Sequence, residues 1–237
     1  MKKSLLATLL VVAGITSASA TEVLGGNLTG NLGITSNYEF RGISLSQNGP
    51  AVQGGIDYTH KSGLYIGNWN SSISWIGDTY QKGATNYNGS TIANLGSQGT
   101  SAPIEMDFYA GFKKEFIGEG FATDLGVLQY YYPTSGIPNN GNLSTNPNTT
   151  ELYVVQNFTF GPVTGFAKFS YAVSTLFGNV NSTGSYYPDL TLNYDTGVWG
   201  LALNGHVGYQ YVAGSQPTGG RPASGNPGIS NSTLYSY

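Results

Sequence analysis

Residues 104–113 read IEMDFYAGFK. Ile104, Met106, Phe108, Ala110 and Phe112 occupy alternate positions, and Glu105, Asp107 and Lys113 stand opposite them. Successive side chains of a strand point to opposite faces, so this order gives one apolar and one charged face. Strict alternation over this length predicts a β-strand.

The same period runs outward in both directions. Upstream, Leu28, Leu32, Ile34, Tyr38 and Phe40 alternate with Thr29, Asn31, Thr35, Glu39 and Arg41, which predicts one strand over 28–41. Val52, Ile56 and Tyr58 then oppose Gln53 and Asp57, and Tyr65, Trp69, Ile73 and Trp75 form the next apolar set. Downstream, Phe121, Leu125, Val127 and Tyr131 oppose Asp124, and Leu152, Val154, Phe158 and Phe160 oppose Glu151. Val163, Phe169, Tyr171 and Val173 oppose Lys168, while Tyr186, Leu190, Leu192 and Tyr194 face away from Asp189 and Asp195. Trp199, Leu201, Leu203, Val207, Tyr209 and Tyr211 face away from Asn204 and His206, and a further strand begins near Thr233. Short connections at 61–63, 117–120, 161–162 and 195–197 alternate with long polar ones at 77–103, 133–149, 176–185 and 214–232. Tight turns on one rim and longer loops on the other are the pattern of an outer-membrane barrel.

Charge placement selects the architecture. Of 237 residues only 9% are charged and 39% hydrophobic, with 35 glycines, 18 tyrosines and no cysteine. A soluble domain carries about 25% charged residues, and the outer faces of a soluble β-sandwich would hold most of them. Here Glu39, Arg41, Asp57, Glu105, Asp107, Lys113, Asp124, Glu151, Lys168, Asp189 and Asp195 all fall on the polar side of their strands. A barrel in lipid needs an uncharged outside and accepts a polar inside, and closure pairs every backbone polar group. The expected fold is therefore all-β, an antiparallel transmembrane β-barrel. Without cysteine, disulfide scaffolds, cysteine-zinc sites and cysteine nucleophiles are excluded.

Lys2 and Lys3, the apolar run Leu5 to Ile15 and Ala18-Ser19-Ala20 have the form of a secretory leader cleaved after Ala20. Its removal takes both lysines and changes the formal charge from −3 to −5. The expected location is the outer membrane of a Gram-negative cell. The expected partners are its lipid and the barrel-assembly machinery, with no basic patch for nucleic acid. Trp75, Tyr38, Phe40, Tyr130, Tyr131, Tyr132 and Tyr186 lie near strand ends beside the long loops, where an interfacial girdle is expected.

Residues 36–75 read SNYEFRGISLSQNGPAVQGGIDYTHKSGLYIGNWNSSISW. This stretch resembles the TorF family of Gram-negative porins through Ser36 to Ser44, Pro50 to Tyr58 and Ser62 to Trp69. Weaker echoes lie at Glu105 to Gly111 and Tyr187 to Leu190. The resemblance implies a barrel with a pore role and no defined substrate. It also implies a closing strand that ends in an aromatic residue, whereas this chain stops at Leu234-Tyr235-Ser236-Tyr237. Nine full strands and part of a tenth are therefore expected to belong to a barrel of twelve, truncated at its C-terminal end, since single-chain bacterial barrels have even counts.

Glu39 and Arg41, two apart on one predicted strand, are expected to point the same way into the lumen and form a charged constriction. The lumen candidates comprise those eleven charges and His206. Acids outnumber bases among them, which favours cations. Ser170, His206 and Asn204 share the inward parity without a nucleophile motif, and His60 sits at a short turn. No catalytic, cofactor or metal site is read. The expected function is passive diffusion of small hydrophilic solutes or ions. The alternative is a narrow or plugged structural or adhesive barrel acting through its long loops.

Overall fold

A computed structural model of the protein describes residues 13–80, 100–135, 146–179, 181–213 and 233–236. Strand β1 (Ala13–Val23) is followed by β2 (Gly26–Thr35), the two-residue strands β3 (Glu39–Phe40) and β4 (Ile43–Ser44), β5 (Ala51–His60) and β6 (Leu64–Ser72). A short helix α1 (Trp75–Tyr80) precedes β7 (Ile104–Gly118), β8 (Phe121–Tyr131), β9 (Thr149–Phe160) and β10 (Val163–Ala172). Strands β11 (Tyr186–Asp195), β12 (Ala202–Gln210) and β13 (Thr233–Ser236) complete the order. The main sheet has 11 strands, β1-β2-β5-β6-β7-β8-β9-β10-β11-β12-β13, each antiparallel to its neighbour in sequence. This is an all-β meander; among the described residues no pairing joins β1 to β13. The n-region, most of the long connections at 77–103, 133–149 and 214–232, and the final Tyr237 lie outside the described residues. No described helix is long and apolar enough to cross a membrane.

Strand β1 overlaps the segment read as a leader. Beyond the predicted cleavage point its pairs with β2 are Thr21↔Leu28, Glu22↔Asn27 and Val23↔Gly26.

The apolar parity of the sequence becomes an exposed face. Leu32, Ile56, Ile66, Leu125, Leu152 and Leu192 are all more than 40% exposed, one or more on each of six strands. On the opposite face Glu105 and Glu151 are each 1% exposed, which reverses the ordinary arrangement of a water-soluble sheet. The apolar core lies on the inner face towards the long connections: Tyr38, Ile73, Ile76, Ala102, Tyr130 and Tyr132 pack together, with Leu176 and Val212 in a second cluster.

Glycine and tyrosine interlock on this inner face. The ring of Tyr109 lies where a Cβ on Gly67 would stand, Tyr65 covers Gly111, Tyr153 covers Gly126 and Tyr187 covers Gly208. Each pair lets an aromatic ring lie flat across a neighbouring strand and keeps the interior filled where aliphatic residues are few. Gly126→Ala is expected to cost about 1–3 kcal/mol through overpacking against Tyr153. Gly205→Ala, which meets nothing within 4 Å, is expected to be neutral. Urea unfolding midpoints of the two variants check this; equal midpoints would refute the interlock.

Three expectations about strands change. The alternation over 28–41 does not form one strand, because β2 ends at Thr35 and the chain turns inward. In β6 the parity is the opposite of that expected: Leu64 and Ile66 are exposed, whereas the Tyr65 hydroxyl donates inward to Asp124 at 2.6 Å. Trp69 also lies inside, packed edge-on against Tyr38. Trp199 sits in the β11–β12 turn at φ 51°, fully exposed and ahead of the strand rather than on it.

Candidate functional site

The inward turn after β2 is a small hairpin, residues 36–50, with Glu39↔Ser44 and Phe40↔Ile43 as its pairs. Its tip is Arg41-Gly42, at φ 48° and 75°. A two-residue hairpin turn with both central residues at positive φ matches the right-handed twist of the strands. Gly42 adopts this freely, but Arg41 pays about 1–2 kcal/mol for the left-handed conformation. That strain is offset by what the side chain reaches.

The Arg41 guanidinium donates two bonds to Glu151 on β9, Nη2 to Oε2 at 2.7 Å and Nη1 to Oε1 at 2.9 Å. Nη1 also donates to Gln210 Oε1 on β12 at 2.8 Å. The guanidinium stacks near Phe40 (4.8 Å) and Tyr187 (4.4 Å). The fork geometry of arginine suits such a bidentate carboxylate contact. Burial is the largest single influence and disfavours the charge, yet the Glu151 carboxylate together with Tyr130 and Tyr187 more than offsets it and holds Arg41 protonated beyond the ordinary arginine range.

The other end of the hairpin is tied to β7. Tyr38 Oη donates to Glu105 Oε1 at 2.6 Å, and Tyr132 Oη donates to Glu105 Oε2 at 2.5 Å. Burial and the Glu105 carboxylate push both phenols above the usual tyrosine range. Backbone bonds from Ser74 N and Trp75 N to Leu45 O fasten the hairpin base to the end of β6.

These contacts bend the sheet. Tyr38 packs on Trp69 of β6, and Arg41 reaches Gln210 of β12. Six strand spacings in a flat sheet would separate those strands by about 29 Å. The three residues from Tyr38 to Arg41 span about 10 Å of backbone, and through their side chains this one turn touches β6, β7, β9 and β12 together. The sheet curls around the hairpin, which crosses its concave face.

Two cavities lie within the curl. One, of about 450 Å³, is bounded by the hairpin and by β10, β11 and β12, with Glu39, Lys168, Ser170, Asp189 and His206 among its walls. The other, of about 340 Å³, lies towards the short turns between β7, β8, β9 and β10, with Tyr109, Asp124 and Tyr153 on its walls. Lys168 borders both.

Most of the sequence candidates meet on this concave face. Glu105, Asp107 and Glu151 are buried there. Asp57 accepts from Tyr109 at 2.5 Å, and Asp124 accepts from Tyr65, whose hydroxyl also contacts that of Tyr153. Asp189 Oδ1 lies 2.8 Å from His206 Nε2. Glu39 does not share a strand face with Arg41: across the turn it stays exposed at the cavity edge, accepting from Asn37 Nδ2 at 2.8 Å. The expected Glu39–Arg41 constriction is replaced by Arg41–Glu151. Lys113 and Asp195 are exposed at the short-turn rim, where Asp195 accepts from Gly197 N at 2.8 Å.

Aromatic placement also departs from expectation. Tyr130 and Tyr132 are each 3% exposed and Tyr38 is 9% exposed, inside the curl and not on an interfacial girdle. Trp75 stacks edge-on against Tyr132, and Phe40 against Tyr130 and Phe177. Tyr131 remains outside. Strand parity carried this signal: Tyr130 and Asp124 are six apart on β8, hence on the same face.

The class defined so far is a curled antiparallel meander with an apolar convex face and a charged, hairpin-spanned concave face. Residues 19–218 match the model of the family described as "Bacterial protein of unknown function (Gcw_chp)", and the chain belongs to that family. No curated protein and no solved structure matches the chain.

Proposed function

We propose that this protein is an outer-membrane β-barrel of the porin type, passing small hydrophilic solutes through a bore narrowed by the hairpin 36–50. The observation that carries this reading is the inverted burial of the sheet. A continuous apolar convex face suits hydrocarbon, where a midplane Lys or Arg costs about 2–4 kcal/mol, and a charged concave face suits a water-filled interior. The leader-like first twenty residues and the resemblance of residues 36–75 to TorF porins support the same location. In this reading removal of the leader leaves most of β2 open on one side for a closing strand.

The acid-rich lining favours cations. Planar-bilayer recording of the refolded protein is expected to show discrete openings with cation-leaning reversal potentials under a salt gradient. A second reading, a plugged structural or adhesive barrel, is favoured by the depth at which Arg41 and Tyr38 anchor the hairpin. Absence of openings, in protein that shows heat-modifiable gel mobility, would reject the pore and leave that second reading standing.

A further inference from the structure

Of the cations on the concave face, Arg41 is consumed by Glu151 and Gln210. Lys168 is not. Its Nζ sits 4.9 Å from the centre of the Tyr153 ring and makes no salt bridge or hydrogen bond with any described residue. Asp189 stands directly opposite Lys168 in the β10–β11 register, with its Oδ1 2.8 Å from His206 Nε2 and no contact ion pair to Lys168. Two residues along β10, on the same face, Ser170 is 0% exposed and its Oγ has no hydrogen-bond partner. Both side chains border the cavity of about 450 Å³, a volume in the range of small-molecule sites. A buried hydroxyl without a partner is costly to leave so, and the largely enclosed Lys168 ammonium feels Glu151, Asp189 and Asp124 only from beyond contact distance.

We propose that this cavity is a solute-binding site for small hydroxylated carboxylates. The carboxylate pairs with Lys168 Nζ and accepts from Ser170 Oγ, while the solute's hydroxyls meet Asp189, His206 and Glu39 around the wall. This deepens the porin reading by naming a substrate class, and it rests on that reading for its transport role, although binding itself does not require an open pore. The acids on the wall accept from the solute's hydroxyls; they oppose its carboxylate, so binding of the anion rests on Lys168 Nζ and Ser170 Oγ within a lining that otherwise favours cations. The hairpin forms one side of the site, so binding takes place at the narrowest part of the bore.

The test is calorimetric titration of sodium gluconate into the full-length refolded protein in detergent, alongside bilayer recording of the same preparation. Gluconate is expected to bind in the millimolar range or tighter, and uncharged glucose at least tenfold more weakly. Lys168→Met is expected to weaken gluconate at least tenfold and Ser170→Ala a fewfold. Lys168→Arg is expected to restore most of the affinity, and Lys114→Met, at the exposed rim, to leave it unchanged. Heat-modifiable mobility confirms that each variant is folded. Conductance without gluconate binding, or Lys168→Met binding like wild type, would overturn the site and leave the pore intact. Gluconate binding without any openings would support the site and reject the pore.

Discussion

Replacing Arg41 with alanine is expected to lower stability by about 3–5 kcal/mol, the range for breaking a buried ion pair by removing one partner. The cause is the carboxylate left behind. Glu151 is 1% exposed, and Arg41 supplies both of the short bonds to it. Gln210 loses its guanidinium partner as well. The hairpin tip would come away from β9 and β12 while Tyr38 still holds its base to Glu105, so on the proposed porin reading the bore should widen and fluctuate. Larger, noisier single-channel currents are expected beside the lowered urea midpoint.

Companion variants divide the effect. Arg41→Gly loses the same side chain but suits the φ of 48° at this position, so it should be about 1 kcal/mol less damaging than alanine. Arg41→Met with Glu151→Leu removes both charges and is expected to cost less than Arg41→Ala alone, because no carboxylate remains uncompensated. Salt should hardly change the Arg41–Glu151 contribution, unlike that of the exposed pair Lys61–Glu22. An Arg41→Ala unfolding free energy within about 0.5 kcal/mol of wild type, the range of ordinary surface substitutions, would show that the hairpin is not latched there.

Much of the sheet was legible because one local rule, parity, governs it. In β7 the alternation of Ile104 to Phe112 with Glu105 and Asp107 placed each side chain on the face where it lies. The rule failed where both faces carry apolar character. Around Leu64-Tyr65-Ile66, hydrophobicity alone does not rank a ring with a hydroxyl against an aliphatic chain. The hydroxyl decides, since Tyr65 has a carboxylate to reach only on the inside. Over 28–41 the alternation carries on past Thr35 without interruption, although the strand stops there. The turn at Arg41-Gly42 was hidden because arginine is not a residue that signals positive φ. What holds that turn is Glu151, 110 residues away, and Gln210, 169 residues away. No short-range pattern encodes such a contact. The site was half visible: parity gathered the charges on one face, but which charge pairs with which depends on how far the sheet curls.

The convex face allows a test whose sign differs between architectures. Ile56, in the middle of β5, is 59% exposed, and Leu64, at the start of β6 beside a short turn, is 56% exposed. To water these two positions are equivalent, and an arginine at either should change stability by no more than about 0.5 kcal/mol. To a bilayer they are not. Arginine near the midplane of a barrel's lipid face costs about 2–4 kcal/mol, falling to about 0–1 kcal/mol at the interface. Ile56→Arg is therefore expected to impair folding into phospholipid vesicles strongly and Leu64→Arg only slightly. In detergent micelles, which adapt to a charged side chain more readily, the difference should shrink. Urea titrations of both variants in vesicles would read it directly. Equal, small effects at the two sites would mean that the convex apolar face does not meet hydrocarbon, and the barrel and its pore would fall together.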